Sequence, residues 1–253
     1  MLDRRTFLIS TLAAATFADA NAQDITSMET IAAALADPNR NDTDRLFDQI
    51  RHPTEVLAFT GVRTGQHVAD LGPGLGYYTR LFSAIVGPEG HVLAVTDAPS
   101  PPPRQNRPPI YEMEANPAYR NVDILSEGWA FRRREPLDFI FVSQIYHDFH
   151  VTALHVNTPQ MNRLLFRALK PGGALVVIDH AAPAAADQLR IPDQLHRIDP
   201  SIVREELEAA GFVFEAESDA LRNPNDPRTA PVFDPSIRYR TDQFMLRFRK
   251  PAE

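Results

Sequence analysis

The stretch "VADLGPGLGYYTRL", residues 68–81, sets Gly72, Gly74 and Gly76 at alternate positions between an apolar run and a helical pattern. A chain that leaves a buried strand at 67–71 and turns at once into a helix over 77–85 needs residues that tolerate positive φ and let a ligand approach the main chain. Spacing then separates the candidate ligands. The dinucleotide fingerprint GxGxxG would put Tyr77 at its third glycine, where close helix–sheet packing has no room for a ring. A phosphate-binding loop would need Gly-Lys-Ser/Thr at the helix start, and Gly76, Tyr77 and Tyr78 stand there instead. What remains is D-x-G-x-G-x-G, with Asp70 at the strand end and no lysine or arginine in the loop, a shape suited to a ligand without phosphates.

"ADLGPGLGYYT" resembles the first motif of the class I S-adenosylmethionine-dependent methyltransferases. The resemblance implies that the glycine loop runs under the methionine and ribose of the cofactor and that Asp70 helps to hold the methionine ammonium group. It makes Gly72, Gly74, Gly76, Tyr77 and Ser143 cofactor-binding candidates. A second signature is "LKPGGALVVID", in which Lys170 ends a helix, Pro171 forbids its continuation and Gly172-Gly173 turn tightly into a buried strand. The same words stand at the fifth strand of many methyltransferases, and the resemblance covers residues 56–250. More narrowly, "RHPTEVLAFTGV", "GYYT", "HRIDP" and "LRNPNDPRTAPVFDP" together resemble a group of predicted exported bacterial methyltransferases. "GYYT" is also similar to protein isoaspartate methyltransferases, over too few residues to assign that substrate.

The strand pattern agrees. Apolar runs at 91–96, 121–126, 137–142 and 173–179 alternate with helical stretches such as 158–170, which argues for a parallel sheet covered on both faces. A helix beginning at an Asp199 cap and ending at Gly211 is followed by strands at 212–218 and 241–250. A closing helix, strand, long loop and strand resembles the antiparallel final hairpin of the methyltransferase family. The expected architecture is therefore α/β: a Rossmann-like seven-stranded mixed sheet, order 3-2-1-4-5-7-6, last strand antiparallel.

A chain of 253 residues, 43% hydrophobic and 23% charged, suits one globular domain with some decoration. Its formal charge of −7 argues against a nucleic-acid partner, and the basic cluster "FRRREP" reads as a solvated turn. With no cysteine, disulfides, thiolate catalysis and cysteine-type zinc sites are excluded. At the amino end, Arg4-Arg5, an apolar segment over 7–17 and the small-residue site Ala20-Asn21-Ala22 follow the order of a cleavable signal, similar to twin-arginine export signals. Residues 1–22 are thus expected to be a signal peptide, 23–60 a helical segment and 61–253 the methyltransferase domain. The expected location is the periplasm, with a retained signal and a cytoplasmic pool as the alternative. No later run is long enough to span a membrane. Because S-adenosylmethionine is made in the cytoplasm, the second functional reading is an exported, non-catalytic binding protein on the same fold.

At the end of the second strand, where the family usually carries a ribose-binding carboxylate, Thr96 holds the place and Asp97 follows one residue later. The segment after it, "APSPPPRQNRPPIYEMEANP", has too much proline for a crossover helix in its first half and reads as a solvent-exposed insertion, with an ordered, polyproline-like loop near the adenosine side as the alternative. Glu127 takes the place of the family's adenine-binding carboxylate, and Trp129 is placed to flank the ring or to pack in the core. Arg51, His52 and Pro53 precede the first strand where the family's helices lie over the cofactor.

Methyl transfer is an in-line displacement whose enzyme aligns the acceptor and removes its proton where needed. The carboxyl end of the fourth strand, "SQIYHDFH", offers His147 as general base, Asp148 or Asp179 as its orienter and Tyr146 as a wall or donor. His147, Asp148 and His150 are adjacent or three apart without a second cluster, a poor metal signal, and no metal is expected. His180, His196, Arg197 and Asp199 fall on the same sheet edge and read as the lining of an acceptor pocket. In the long loop "RNPNDPRTAPVFDPSIRYR", Arg222, Asn223 and Arg228 either hold a lid or bind an acidic acceptor. The acceptor, a small molecule or a protein, is not named by any of these residues.

Overall fold

The computed structural model describes residues 26–97, 102–126, 128, 135–183 and 190–252. The residues expected to form an export signal lie outside the described residues, as do Glu127, Trp129 and the arginines of "FRRREP". Three helices, α1 (Met28–Leu35), α2 (Asp42–Arg51) and α3 (Pro53–Thr60), precede an alternating series. That series runs β1 (His67–Leu71), α4 (Tyr77–Val86), β2 (His91–Thr96), β3 (Val122–Ser126), β4 (Leu137–Ser143), α5 (Thr158–Ala168) and β5 (Leu169–His180). The chain then forms α6 (Ile191–Leu195), α7 (Pro200–Ala209), β6 (Val213–Ser218) and β7 (Gln243–Arg249).

The strands form one seven-stranded sheet in the order β3-β2-β1-β4-β5-β7-β6. The first five pair in parallel, and β7 runs antiparallel to both β5 and β6. Alternation along each strand divides the core. Val68, Phe139, Phe141, Val176 and Ile178 pack under α1, α3 and α4 with Ile31, Leu57 and Phe82. Ala69, Leu71, Ile140 and Val142 face the opposite layer with Leu165 of α5 and Val203 and Leu207 of α7. Among the described residues, no helix is long and apolar enough to cross a membrane.

Two local expectations are corrected. α5 ends at Ala168, not at Lys170, because Leu169 already pairs with Leu137 across a register shift in β4. Lys170 instead reaches Asp138, whose other oxygen accepts the His67 amide, so this pair fastens the amino ends of β1 and β4. The proline-rich segment is not a solvent-exposed insertion along its second half. Residues 109–119 form short 3-10 turns that bury Ile110, Tyr111, Met113 and Tyr119 against Ala94 of β2. The Asp199 cap of α7 is as read, its carboxylate accepting the Ser201 amide at 2.8 Å.

Candidate active site

All three loop glycines have positive φ, +71° at Gly72, +55° at Gly74 and +87° at Gly76, as a chain folding from β1 back into α4 requires. Their surroundings differ. A Cβ at Gly72 would lie 2.8 Å from Ile145 and one at Gly76 would lie 2.6 Å from Met113, whereas one at Gly74 would meet nothing within 4 Å. The middle of the loop is thus a backbone-lined cradle, open where a side chain would stand. Gly76 caps α4 with no side-chain hydrogen bond, and in the first turn the Thr79 amide is turned to the Asp70 carboxylate.

Cavities lie on both sides of this loop. The first, of about 320 Å³, is bounded by Asp70, Gly72, Gly74, Tyr77 and Ser143 below and by Arg51 of α2 above. Asp70 is buried at the end of β1 and accepts the Thr79 hydroxyl at 2.6 Å. Burial pushes its carboxyl up to about 6, against that hydrogen bond and the field of Arg51. The Arg51 guanidinium lies over the rings of Phe47, Tyr77 and Tyr78, with its carbon 5.0 to 5.5 Å from their centroids. The Tyr77 hydroxyl donates to Asp48 at 2.7 Å, so its ring, not its oxygen, faces the cavity's cation.

A second cavity, of about 380 Å³, opens across the same glycines and is walled by Thr96, Asp97, Ile110, Tyr111, Ile145 and Asp148. Asp97 therefore reaches the crevice despite its offset. β2 has already ended at Thr96, whose hydroxyl is turned to Leu125 and Ser126 of β3, so strand alternation no longer governs the next residue.

The third cavity, of about 130 Å³, shares Phe47, Arg51, Tyr78 and Gln144 with the first. Its other walls include Ile50, His180, Phe233 and Tyr239, with Thr241 and Gln243 as polar groups. Gln144 takes φ +60°, uncommon outside glycine, and its side chain bonds Gln243 at 3.1 Å. Burial pulls the His180 imidazole down to about 4, so it is neutral near pH 7, with Nδ1 at 2.8 Å from the Thr241 hydroxyl.

The catalytic candidates are separated by the structure. His147 is held twice by Asp179, through its amide at 2.8 Å and through Nδ1 at 2.8 Å, which identifies Asp179 as its orienter. Burial pulls the His147 imidazole down, and the Asp179 charge and hydrogen bond outweigh it, leaving a net upward shift. The ring lines none of the three cavities; its Nε2 lies 3.3 Å from Asp148 instead. Tyr146 is corrected: it is fully buried, its hydroxyl bonded to Glu206 and Asn162, and it offers no wall or donor to the crevice. His150 also turns to Glu206, at 3.1 Å. His196, in a left-handed conformation at the end of α6, brings Nδ1 to 3.8 Å from Asp148 and packs its ring against Phe233.

Of the residues read as acceptor lining, His180 borders the third cavity and Arg197 does not. Arg197 is fully buried, paired with Asp226 at 2.9 Å and donating to the carbonyls of Ala181 and Ala230. Arg222 and Arg228 both grip Asp242, and Asn223 donates its amide there, so these residues hold the loop in place. The residues that sequence reading missed are Phe47, Gln144, Phe233 and Tyr239. Gln144, Phe233 and Tyr239 lie between regular elements and Phe47 lies on α2, and no motif in the sequence marks them.

The sequence model of protein-L-isoaspartate(D-aspartate) O-methyltransferase (PCMT) matches residues 2–215, far beyond the four residues of "GYYT". A protein-L-isoaspartate O-methyltransferase of Methanothrix thermoacetophila is 30% identical over 122 residues, 46% of this chain and 48% of that protein. A ubiquinone/menaquinone biosynthesis C-methyltransferase of Vibrio campbellii is 32% identical over 124 residues, 49% of this chain and 45% of that protein. The chain thus spans about half the length of the curated relatives it matches. Among solved structures, an S-adenosylmethionine-dependent methyltransferase from Aquifex aeolicus superposes with a TM-score of 0.56 at 20% identity, over 88% of this chain and 98% of that one.

Proposed function

Because the chain belongs to the protein-L-isoaspartate(D-aspartate) O-methyltransferase family, we propose that it binds S-adenosylmethionine across the glycine loop and transfers its methyl group to a small, largely apolar acceptor. The observation that carries this reading is the cradle at Gly74, with the buried carboxylate of Asp70 on one side and Asp97 on the other. In it, Asp70 receives the methionine ammonium group, and the amino end of α4 behind Gly76 faces its carboxylate. Asp97 takes the ribose hydroxyls, and Ile110 and Tyr111 wall the adenine side. When bound, the cofactor supplies an electrophilic methyl group on a sulfonium.

The acceptor's place is the third cavity, which opens from the first at Gln144 and Arg51. Its aromatic and aliphatic walls suit a flat apolar body, while neutral His180 and Gln144 orient a polar reacting end. The relatives include both an O-methyltransferase and a C-methyltransferase at similar identity, so likeness to them supports the cofactor and leaves the acceptor to this cavity. The His147–Asp179 pair, the base candidate of the sequence, lines none of these cavities and takes no part in this reading; Asp148 beside it borders the cofactor cavity.

Titration calorimetry tests the proposal. Saturable binding of S-adenosylmethionine and of its demethylated product, with none of NAD, and loss of both in Gly74→Val, is the expected outcome. Failure of both adenosyl ligands to bind the wild-type chain would leave a binding protein that keeps the fold without the donor. Export is part of the same proposal and rests on the order of Arg4-Arg5, the apolar segment and Ala20-Asn21-Ala22. Cell fractionation finding only an uncleaved cytoplasmic pool would overturn it.

A further inference from the structure

His147, Asp148 and His196 come from two separate stretches of chain and bring one ligand atom each within 4.8 Å of the others. We infer that these three side chains bind a divalent transition cation of the zinc class, a site distinct from the methyl-donor cradle and independent of that reading.

The spacing fits the chemistry. Ligand atoms 2.0–2.1 Å from a tetrahedral ion stand about 3.3 Å apart, and His147 Nε2 lies 3.3 Å from Asp148 Oδ1. His196 Nδ1 is 3.8 Å from the same oxygen. The His196 side chain is one-third exposed, which leaves it room to close the remaining distance. Two imidazoles and one carboxylate form a nitrogen–oxygen set that suits zinc, cobalt or iron and not magnesium or calcium.

The surroundings are built as an outer shell. His147 presents Nε2 to the cluster because Nδ1 is held by the fully buried carboxylate of Asp179 at 2.8 Å. Asp179 is fixed in turn by the amides of His147 and His180. A carboxylate behind a ligating imidazole orients the ring and raises its basicity. Three protein ligands leave a fourth position, and Asp148 also borders the cavity that holds Asp97, so this position adjoins the crevice. The ion would also tie α6 to the carboxyl end of β4, joining segments that the sequence separates.

The competing occupant of the same point is a proton shared between His147 Nε2 and Asp148. Co²⁺ distinguishes the two by its visible absorption. The full-length protein, stripped with a chelator, is titrated with Co²⁺ and then with Zn²⁺ as competitor. One saturable Co²⁺ per chain, with the visible bands of a low-coordinate nitrogen–oxygen site that Zn²⁺ abolishes, is expected. His196→Ala and Asp148→Asn should each weaken binding by about 100-fold, and Asp179→Asn by about 10-fold. His150→Ala, whose ring lies on Glu206 outside the cluster, should leave it unchanged. Thermal melts of the metal-free variants establish that each is folded. No saturable Co²⁺ binding to the wild-type chain, or undiminished binding in both His196→Ala and Asp148→Asn, would overturn the inference.

Discussion

The glycine loop at 72–76 and the connection between β6 and β7, residues 219–242, line adjoining cavities and are held in opposite ways. The loop is fixed through its backbone: three positive φ values, the Gly76 amide on the Pro73 carbonyl and the Gly72 amide on the Val95 carbonyl of β2, with Ile145 and Met113 close behind Gly72 and Gly76. The connection is fixed through charged side chains. Buried Arg197 pairs with Asp226, Asp226 accepts the Asp242 amide, and Asp242 receives Arg222 and Arg228. One region keeps its shape by what each residue is, the other by which distant residues meet. The difference teaches where binding chemistry is constrained by backbone and where it is free to vary with side chains.

The comparison is broken most severely at the charge network. Asp226→Ala leaves the Arg197 guanidinium buried without its partner, and we expect a loss of about 3–5 kcal/mol in urea unfolding. The same variant should loosen Phe233 and Tyr239 and so weaken acceptor binding more than cofactor binding. In the loop, Gly72→Ala combines a left-handed backbone with a Cβ 2.8 Å from Ile145 and should cost about 2–4 kcal/mol. Gly74→Ala, with the same backbone sign and no steric neighbour, should cost only about 1 kcal/mol. Equal losses at the two glycines would show that backbone strain alone, and not packing, shapes the loop.

Asp70 sharpens the comparison from the other side. Its folded carboxyl titrates at about 6, above the ordinary 3.8, so the folded state holds the proton more tightly than the unfolded chain. Its contribution to stability is therefore most favourable below pH 3.8 and falls as pH rises through about 6. Asp70→Asn keeps the Thr79 hydrogen bond and removes the buried charge. It should stabilise the ligand-free protein at pH 8 by about 2 kcal/mol, at about 1.4 kcal/mol per pKa unit less the imperfect fit of an amide. The same substitution should weaken S-adenosylmethionine binding, and wild-type affinity should decline as pH drops below about 6. A variant no more stable than wild type at pH 8 would mean that the ionised carboxylate costs the fold nothing.

What the sequence disclosed follows the same division. The seven-strand order was legible through the family resemblance, which local features carry: a glycine turn after β1, the break at Pro171 before the buried run of β5, and the closing helix, strand, long loop and strand. Asp70 was legible because it ends a strand. Asp97 was ambiguous until the side chain of Thr96 was seen turned to β3, which ends the alternation one residue early. Arg197 was misplaced because its partner Asp226 is 29 residues away and no periodicity links them. Gln144 and Phe233 were illegible, and the place of His196 beside Asp148 was hidden, for a related reason: their direction is set by a left-handed turn or by a loop anchored elsewhere.

The position of β7 carries a consequence for how the molecule is made. It is an inner strand assembled from residues 243–249, and β6 has hydrogen-bonded pairing with no strand but this one. Synthesis runs from the amino end, so β1 to β5 can associate while β6 waits without a partner and β5 presents an open edge. The sheet is finished by the strand translated after the other six, which enters between two that are already there. A chain stopped before Gln243 would therefore lose two strands, not one, and would display the apolar edge of β5 to any neighbouring chain.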